Sequence, residues 1–270
     1  MPYTRTTDVL IAGAGPVGLS AAAGLRSRGV GCRPAPVRQD GRHPAAHPGG
    51  MGWDRMGLAR TVLEAAAPLR GQLTFVNGRK QARSDLVLPP EVPYGFAALP
   101  QYETERILEK YVAGLGTAIE RGTELLSFTQ DADGVTARLR TASGADEEVR
   151  ARYLVGCDGA HSTVRKGLGR AFEGAAFPEE YMPADVETDW DLPHGYGLRS
   201  THRAGDGATD GALVCIPLPG GTGRYRMSML VPPALFAREP GTGRAQGSDG
   251  VAHGLEGGRA PEPASRTPAT

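Results

Sequence analysis

Net charge is the first thing this chain lacks. Thirty Lys and Arg balance thirty Asp and Glu, so there is no electrostatic footprint of the kind that tracks nucleic acid or an anionic membrane. No apolar run is long enough to span a bilayer. Cysteine is scarce: Cys32, Cys157 and Cys215 lie far apart and form no Cys-x-x-Cys. That argues against a disulfide framework or a cysteine zinc site and suits a reducing compartment. Lysine is scarcer relative to its usual share. Lys80, Lys110 and Lys166 are the only ones, and arginine carries nearly all the positive charge, a bias that reads as a GC-rich genome rather than as a function. The residues from Met1 to Thr7 do not look like a signal peptide, so a cytoplasmic protein is expected. No metal set stands out either. His43 and His47 are each followed by proline with no acid or cysteine beside them, and they read as loop histidines.

What is present begins at Asp8-Val9-Leu10-Ile11-Ala12-Gly13-Ala14-Gly15-Pro16-Val17-Gly18-Leu19. A short apolar run of strand length enters Gly-x-Gly-x-x-Gly and continues as the helical Leu19-Ser20-Ala21-Ala22-Ala23-Gly24-Leu25. Each glycine has its own physical task. Gly13 permits the tight strand-to-helix turn, Gly15 lets the backbone approach a pyrophosphate, and Gly18 lets the helix pack closely on the strand. The free N–H groups of the helix start, with the helix dipole behind them, favour phosphate. A glycine-rich turn that binds nothing is the plainer alternative.

A second parallel strand should follow, ending in an acid roughly 20 residues past the glycines to meet a ribose hydroxyl. Instead the chain reads Gly31-Cys32-Arg33-Pro34-Ala35-Pro36-Val37, with no acid until Asp40. Either this strand is short and irregular, or a few residues carrying the acid are missing and Pro34-Ala35-Pro36 belongs to the following loop, which extends through residues 38–53; proline suits loops better than inner strands, which favours the second. Helical spacing is expected from Arg55 to Ala67, and a short strand from Leu73 to Val76 before the turn signal Asn77-Gly78. Gln101 to Val112 reads as an amphipathic helix with Ile107, Leu108, Tyr111 and Val112 buried. Strands are expected at Ala118–Glu120, Leu125–Thr129, Val135–Leu139, Glu147–Ala151 and Tyr153–Gly156, with Asp131-Ala132-Asp133-Gly134 as a hairpin turn. A second, mostly antiparallel sheet is expected from Met182–Val186, Gly211–Ile216 and Arg224–Val231. The division expected is 1–175 for the dinucleotide region with its meander, 176–237 for a partial substrate sheet, and 238–270 for a disordered low-complexity tail.

Three stretches in this order, Asp8–Leu19, Gln101–Leu108 and Tyr153–Arg165, resemble the FAD-dependent aromatic-ring hydroxylases. These are single-component flavin monooxygenases with a p-hydroxybenzoate-hydroxylase-like fold. Arg170-Ala171-Phe172-Glu173-Gly174 and Ile216-Pro217-Leu218-Pro219-Gly220-Gly221 add to the likeness, and the Arg/Ala-rich style is most similar to hydroxylases of aromatic polyketides. The resemblance covers about residues 7 to 235. It implies an α/β fold, a Rossmann-like FAD-binding βαβ domain with an antiparallel-sheet substrate region. It implies FAD and NAD(P)H as cofactors and an aromatic small molecule, phenolic or polyketide-type, hydroxylated with O₂. Carried over, Gly13, Gly15, Pro16, Val17 and Gly18 would cradle the FAD pyrophosphate. Gln101 would meet the ribityl–phosphate region, the backbone near Leu125 would pass the adenine, and Asp158-Gly159 would stand beside the cofactors with Arg165 bracing the turn. Gln101 as a helix cap and Asp158 as an N-cap or turn residue are the plainer alternatives. No nucleophile is required, and no catalytic residue is assigned. His161 reads as a surface or supporting residue. His194, Tyr196, Arg199 and His202 fall in the substrate-sheet region, where any could face a ligand.

The pattern departs from the family at three places. The ribose acid after the second strand is absent, the Gly/Pro/His-rich stretch does not align with the family's arginine-bearing helix start, and no second Gly-Asp flavin motif follows the substrate sheet. The sequence therefore reads as a C-terminally truncated member. Two other readings stay open: a non-catalytic homologue keeping a partial nucleotide site, and a plain NAD(P)-dependent Rossmann reductase. Oligomeric state is not legible from these residues.

Overall fold

The computed structural model describes residues 5–35, 50–92, 94–175 and 179–231. The first strand, β1 (Arg5–Ala12), leads through the glycine turn into helix α1 (Pro16–Arg26) and on to β2 (Cys32–Ala35). β2 pairs parallel with β1, Ile11 opposite Pro34 and Ala12 opposite Ala35. Pro34-Ala35 is thus strand rather than the loop expected from its prolines. The reason lies in the strand order, which puts β2 at a sheet edge, where a missing ladder donor costs least. Pro36 and the position of the expected ribose acid lie outside the described residues, as do His43, His47 and the tail beyond residue 231.

Next come α2 (Gly50–Arg55), α3 (Ala59–Ala65) and β3 (Ala67–Leu69). Residues 50–53, expected as loop, are helical, and the single helix expected over 55–67 is divided at Gly57, whose φ of 70° ends α2. The hairpin β4 (Gly71–Val76) and β5 (Arg79–Asp85) turns at Asn77 and Gly78, φ 47° and 74°, the left-handed pair that suits a two-residue hairpin loop. After β6 (Phe96–Ala98), which pairs with β3, α4 spans Gln101–Gly114. It buries Ile107, Leu108 and Val112. Tyr111, expected on the buried stripe, is only partly covered. Leu108 and Val112 are fully enclosed, each contributing on the order of 1.5–3 kcal/mol of apolar burial.

The meander follows as β7 (Glu124–Asp131), β8 (Gly134–Arg140) and β9 (Asp146–Gly156). The two strands expected at Glu147–Ala151 and Tyr153–Gly156 are one continuous strand, because β9 keeps β1 as its parallel partner from Val149 to Gly156. Ala118–Glu120, expected as a strand, forms none, although the Glu120 N–H donates to the Pro34 carbonyl at 3.4 Å. A short helix, α5 (Thr163–Gly167), then leads to β10 (Tyr181–Glu187), β11 (Tyr196–Arg203), β12 (Thr209–Pro217) and β13 (Arg224–Leu230). β11 had no counterpart in the sequence reading.

The sheet order is β2-β1-β9-β8-β7 in the five-stranded sheet and β10-β13-β12-β11-β4-β5 in the six-stranded one. The second is antiparallel except where β11 meets β4. It takes strands from both sides of residue 175. The first sheet is packed on two sides. Val9 and Ile11 join Ala22, Ala23 and Val112 from the helices, and Leu10 and Ala12 join Leu125, Ala137, Val149 and Val164. β1 and β9 therefore end side by side with their C-terminal ends between these layers, the place where open α/β sheets hold ligands.

Candidate cofactor site

Two turns leave those strand ends next to one another. The Cys157 N–H donates to the Ala12 carbonyl at 2.7 Å, extending the β1–β9 pairing one step past the last strand residue. Gly13 then takes φ 110°, and a Cβ on it would lie 2.2 Å from the Cys157 carbonyl oxygen. A Cβ on Gly18 would lie 1.9 Å from the Gly13 carbonyl oxygen. Both positions are locked by backbone on backbone, so no larger residue fits without moving the chain.

Gly15 is different. It is the N-cap of α1, with φ −77° and ψ −174°, and a Cβ built on it meets none of the described residues within 4 Å. Helix α1 has no side-chain cap, no acid in its first turn, and proline at its start. Leu19 closes the first intrahelical bond, to the Gly15 carbonyl at 2.9 Å. The N–H groups of Val17 and Gly18, ahead of it, are the ones a helix leaves for an outside partner. Val17 is 68% exposed. An uncapped, acid-free helix start facing open space is chemically an anion site, and the donors suit the pyrophosphate of a dinucleotide.

The second turn is held by side chains. The Asp158 carboxylate accepts three hydrogen bonds: Oδ2 from the Thr163 N–H at 2.7 Å and the Val164 N–H at 3.1 Å, Oδ1 from the Ser162 hydroxyl at 2.6 Å. Ser162 is the N-cap of α5 and its Oγ accepts from the Arg165 N–H at 2.9 Å. The plainer reading of Asp158, as a helix-capping residue, describes these contacts. Gly159 takes φ 71°. Arg165 does not reach the Asp158 carboxylate through its guanidinium. It donates from Nη1 to the Ala160 carbonyl at 2.7 Å and stacks 4.7 Å from the Phe172 ring centre. Its Nε is buried with no hydrogen-bond partner among the described residues. Burial, then the neighbouring Asp158 charge, pushes the Cys157 thiol up from its ordinary value, so it stays protonated and unreactive at neutral pH. His161 is exposed.

Gln101 opens α4 but does not cap it. The N-cap is Pro100, and the Gln101 amide donates to Glu105 at 2.8 Å. Arg26, at the end of α1, donates twice to the Leu115 carbonyl just past α4. Val112 shares a core with Ala22 and Ala23. The helices thus run side by side with the same polarity, and Gln101 starts its helix at the end where Gly15 starts α1. Leu125 stands elsewhere. Its side chain is buried in the core, on β7, with β8 and β9 between it and β1. Its strand is irregular there, the register with β8 shifting between Leu125 and Ser127. Of the residues in the substrate-sheet region, Tyr196 is buried and bonded to Asp85 and Arg83, and His202 is bonded to Asp210. His194 and Arg199 are exposed. Ser162 was missed in the sequence reading, although a serine two residues before a buried valine, with an aspartate upstream, is a helix-start signal. Among the described residues no group of three or more His, Cys, Asp or Glu has metal-holding geometry, and no helix is long and apolar enough to cross a membrane.

Residues 6–219 match the family described as FAD binding domain. The chain belongs to this family. Its relatives include 6-methylpretetramide 4-monooxygenase of Streptomyces rimosus, 38% identical over 228 residues that cover 81% of this chain and 40% of that protein. Pentachlorophenol 4-monooxygenase of Sphingobium chlorophenolicum is 36% identical over 182 residues, 64% of this chain and 34% of that protein. Among solved structures, the flavin-dependent monooxygenase PieE in complex with FAD and substrate superposes with a TM-score of 0.75 at 26% identity, covering 93% of this chain and 46% of that one. The chain therefore spans less than half the length of these relatives. For the FAD-binding family, the antiparallel meander of β7, β8 and β9 stands where a plain dinucleotide reductase would carry its second βαβ half.

Proposed function

We propose that the glycine turn holds the pyrophosphate of FAD, and that the chain serves a monooxygenase hydroxylating an aromatic small molecule of phenolic or polyketide type with NAD(P)H and O₂. The observation that carries this is the open helix start: Gly13 and Gly18 are locked against backbone while a Cβ on Gly15 would face empty space. Gly13, Gly15, Pro16, Val17 and Gly18 form the cradle. Gln101, opening α4 at the same end, meets the ribityl–phosphate side. The Asp158-Gly159 turn walls the cradle, and the backbone near Leu125 passes the adenine. The named activities of the relatives, on 6-methylpretetramide and pentachlorophenol, support an aromatic substrate.

Bound FAD supplies the redox chemistry, carrying electrons from NAD(P)H to O₂. The chain's own part is to bind and orient. The helix start offers N–H groups to phosphate charge, and the packed glycines keep water and side chains out of the gap between the two turns. No side chain of the described residues is assigned to proton transfer. The protein works in the cytoplasm, with no nucleic-acid or membrane partner.

An absorbance scan of the purified protein during FAD titration tests this reading. Saturable binding of about one FAD per chain is expected, followed by NAD(P)H oxidation that depends on an added phenol. Absence of FAD binding overturns the cradle. Binding without phenol-dependent oxidation leaves the cradle and overturns the hydroxylase activity.

A further inference from the structure

The two sides of β9 are not equally occupied. β1 runs along it from Val149 to Gly156, whereas β8 accompanies it only from Asp146 to Ala151. From Arg152 to Gly156 it has no strand partner on the β8 side among the described residues. One bond tells which main-chain groups face that side. The Cys157 N–H points at Ala12 of β1, and successive residues of a strand alternate in direction. Tyr153 and Val155 therefore face β1, and the N–H and C=O groups of Leu154 and Gly156 face away from it. Among the described residues no loop or turn bond takes them up. The β7–β8 hairpin turn stands beside this half-strand. Together they form a cleft of about 650 Å³, lined by Asp131, Asp133 and Val135 from the hairpin and by Arg152, Tyr153 and Leu154 from β9.

The edge of another folded sheet is too broad to reach a strand recessed in this way. A single extended chain can reach it and bond to Leu154 and Gly156 as an added strand. Its side chains would alternate between two apolar layers. Leu154 packs on the core of Leu10, Leu125 and Val164, and Val155 on that of Val9, Ile11 and Val112. A strand covered on both faces is a continuous aliphatic run. At the hairpin end Asp131 is engaged by Arg150, while the exposed Asp133 favours a basic residue beside the run.

We propose that the free half of β9 is a strand-addition site for an extended segment of another polypeptide, a run of about five aliphatic residues flanked by lysine or arginine. The site is separate from the phosphate cradle and does not rest on the function proposed above.

Amide hydrogen exchange on the full chain, alone and with the peptide acetyl-Lys-Val-Ile-Val-Leu-Val-Lys-amide, reads the site residue by residue. In the chain alone, Leu154 and Gly156 are expected to exchange at least about tenfold faster than Tyr153 and Val155. Slow exchange at all four means that the edge is already covered, by the chain itself or by a second copy, and overturns the proposal. With saturating peptide, Leu154 and Gly156 are expected to slow about tenfold or more; no slowing overturns it. Two N-methylated peptides separate strand addition from apolar sticking. One carries its methyls on the three valines, the other on the isoleucine and leucine. Only one set can face β9, so one peptide is expected to lose about tenfold or more in affinity while the other keeps it. Equal affinities overturn the proposal. Asp133→Lys is expected to weaken binding about three- to tenfold, and less at high salt. An unchanged affinity there overturns the basic flank.

Discussion

At the ends of β1 and β9 the chain closes with almost no side chains. Gly13 meets the Cys157 carbonyl, and Gly18 meets the Gly13 carbonyl. In the six-stranded sheet the comparable junction, where β11 meets β4 with β5 beyond it, is closed by side chains. The Tyr196 ring lies over Gly71, where a Cβ would come within 2.3 Å of it. Its hydroxyl donates to Asp85 and accepts from Arg83, whose guanidinium also stacks 4.5 Å from the ring centre. Both junctions use a glycine for close approach. Only the first leaves main-chain donors facing open space. A junction that needs only shape can be filled with an aromatic ring, whereas one built from backbone leaves donors that suit a phosphate.

The contrast is broken most severely at Gly18. Gly18→Ala sets a methyl 1.9 Å from a backbone oxygen, and relief requires moving the turn or the helix. We expect a loss of about 3–5 kcal/mol, combining overpacking and backbone strain, read by urea unfolding. A cost below about 1 kcal/mol would mean that the turn is looser than these contacts require.

Arg33 provides the next step. Its side chain is 11% exposed and bonds both Glu120 and Glu147. Burial alone would lower its pKa, but the hydrogen bonds it donates to Glu147 and Glu120 raise it instead. Arg33→Met leaves two partly buried carboxylates facing one another, and a loss of about 2–3 kcal/mol is expected. The pH dependence follows in sign. The hydrogen bond from Arg33, outweighing burial, holds Glu147 below its ordinary value of 4.5. Its contribution is therefore present above about pH 4.5 and is lost as pH falls through the depressed folded-state value. The parent should lose stability in that acid window, and Arg33→Met should lose less there. Equal acid sensitivity in both would remove Glu147 from the account.

Smaller again is Tyr196→Phe. The hydrogen bond to Asp85, ahead of burial, pushes the phenol above its ordinary value, and the Tyr196 and Arg83 bonds hold Asp85 below its own. Asp85 and Arg83 are half exposed, so water replaces part of what is lost. A modest fall in Tm is expected, smaller than for Arg33→Met, with FAD affinity unchanged. A large fall in FAD affinity would show that the two junctions are not separate.

Local patterns in the sequence were enough to find much of this fold. The glycine turn, the amphipathic face of α4, the Asn77-Gly78 hairpin and the Asp131–Gly134 turn each carry their signal within a few residues. What was not legible depends on distant partners. Pro34 reads as a loop residue until β2 is known to lie at a sheet edge. β11 escaped because Arg199, Ser200, Thr201 and His202 show no clean alternation, and its parallel pairing with β4 joins segments more than a hundred residues apart. The motif residues of the site were visible, but their contacts were not. Asp158 was visible as half of an Asp-Gly turn, while its engagement by Ser162, Thr163 and Val164 needed coordinates. Gln101 does not cap its helix, whose N-cap is Pro100, and its bond to Glu105 was not visible in the sequence.

Gly15→Asp tests the central claim most directly. Its backbone angles are ordinary for any residue, and the new side chain would enter open space. Aspartate is also a favourable N-cap, so unfolding stability should stay within about 0.5 kcal/mol of the parent or rise. The same carboxylate would place a negative charge, and a competing acceptor, where the phosphate is to sit. FAD titrations of parent and variant, with unfolding curves on the same samples, should show binding in the parent and its loss in an equally stable variant. A Gly15→Asp protein that binds FAD as tightly as the parent would contradict the account.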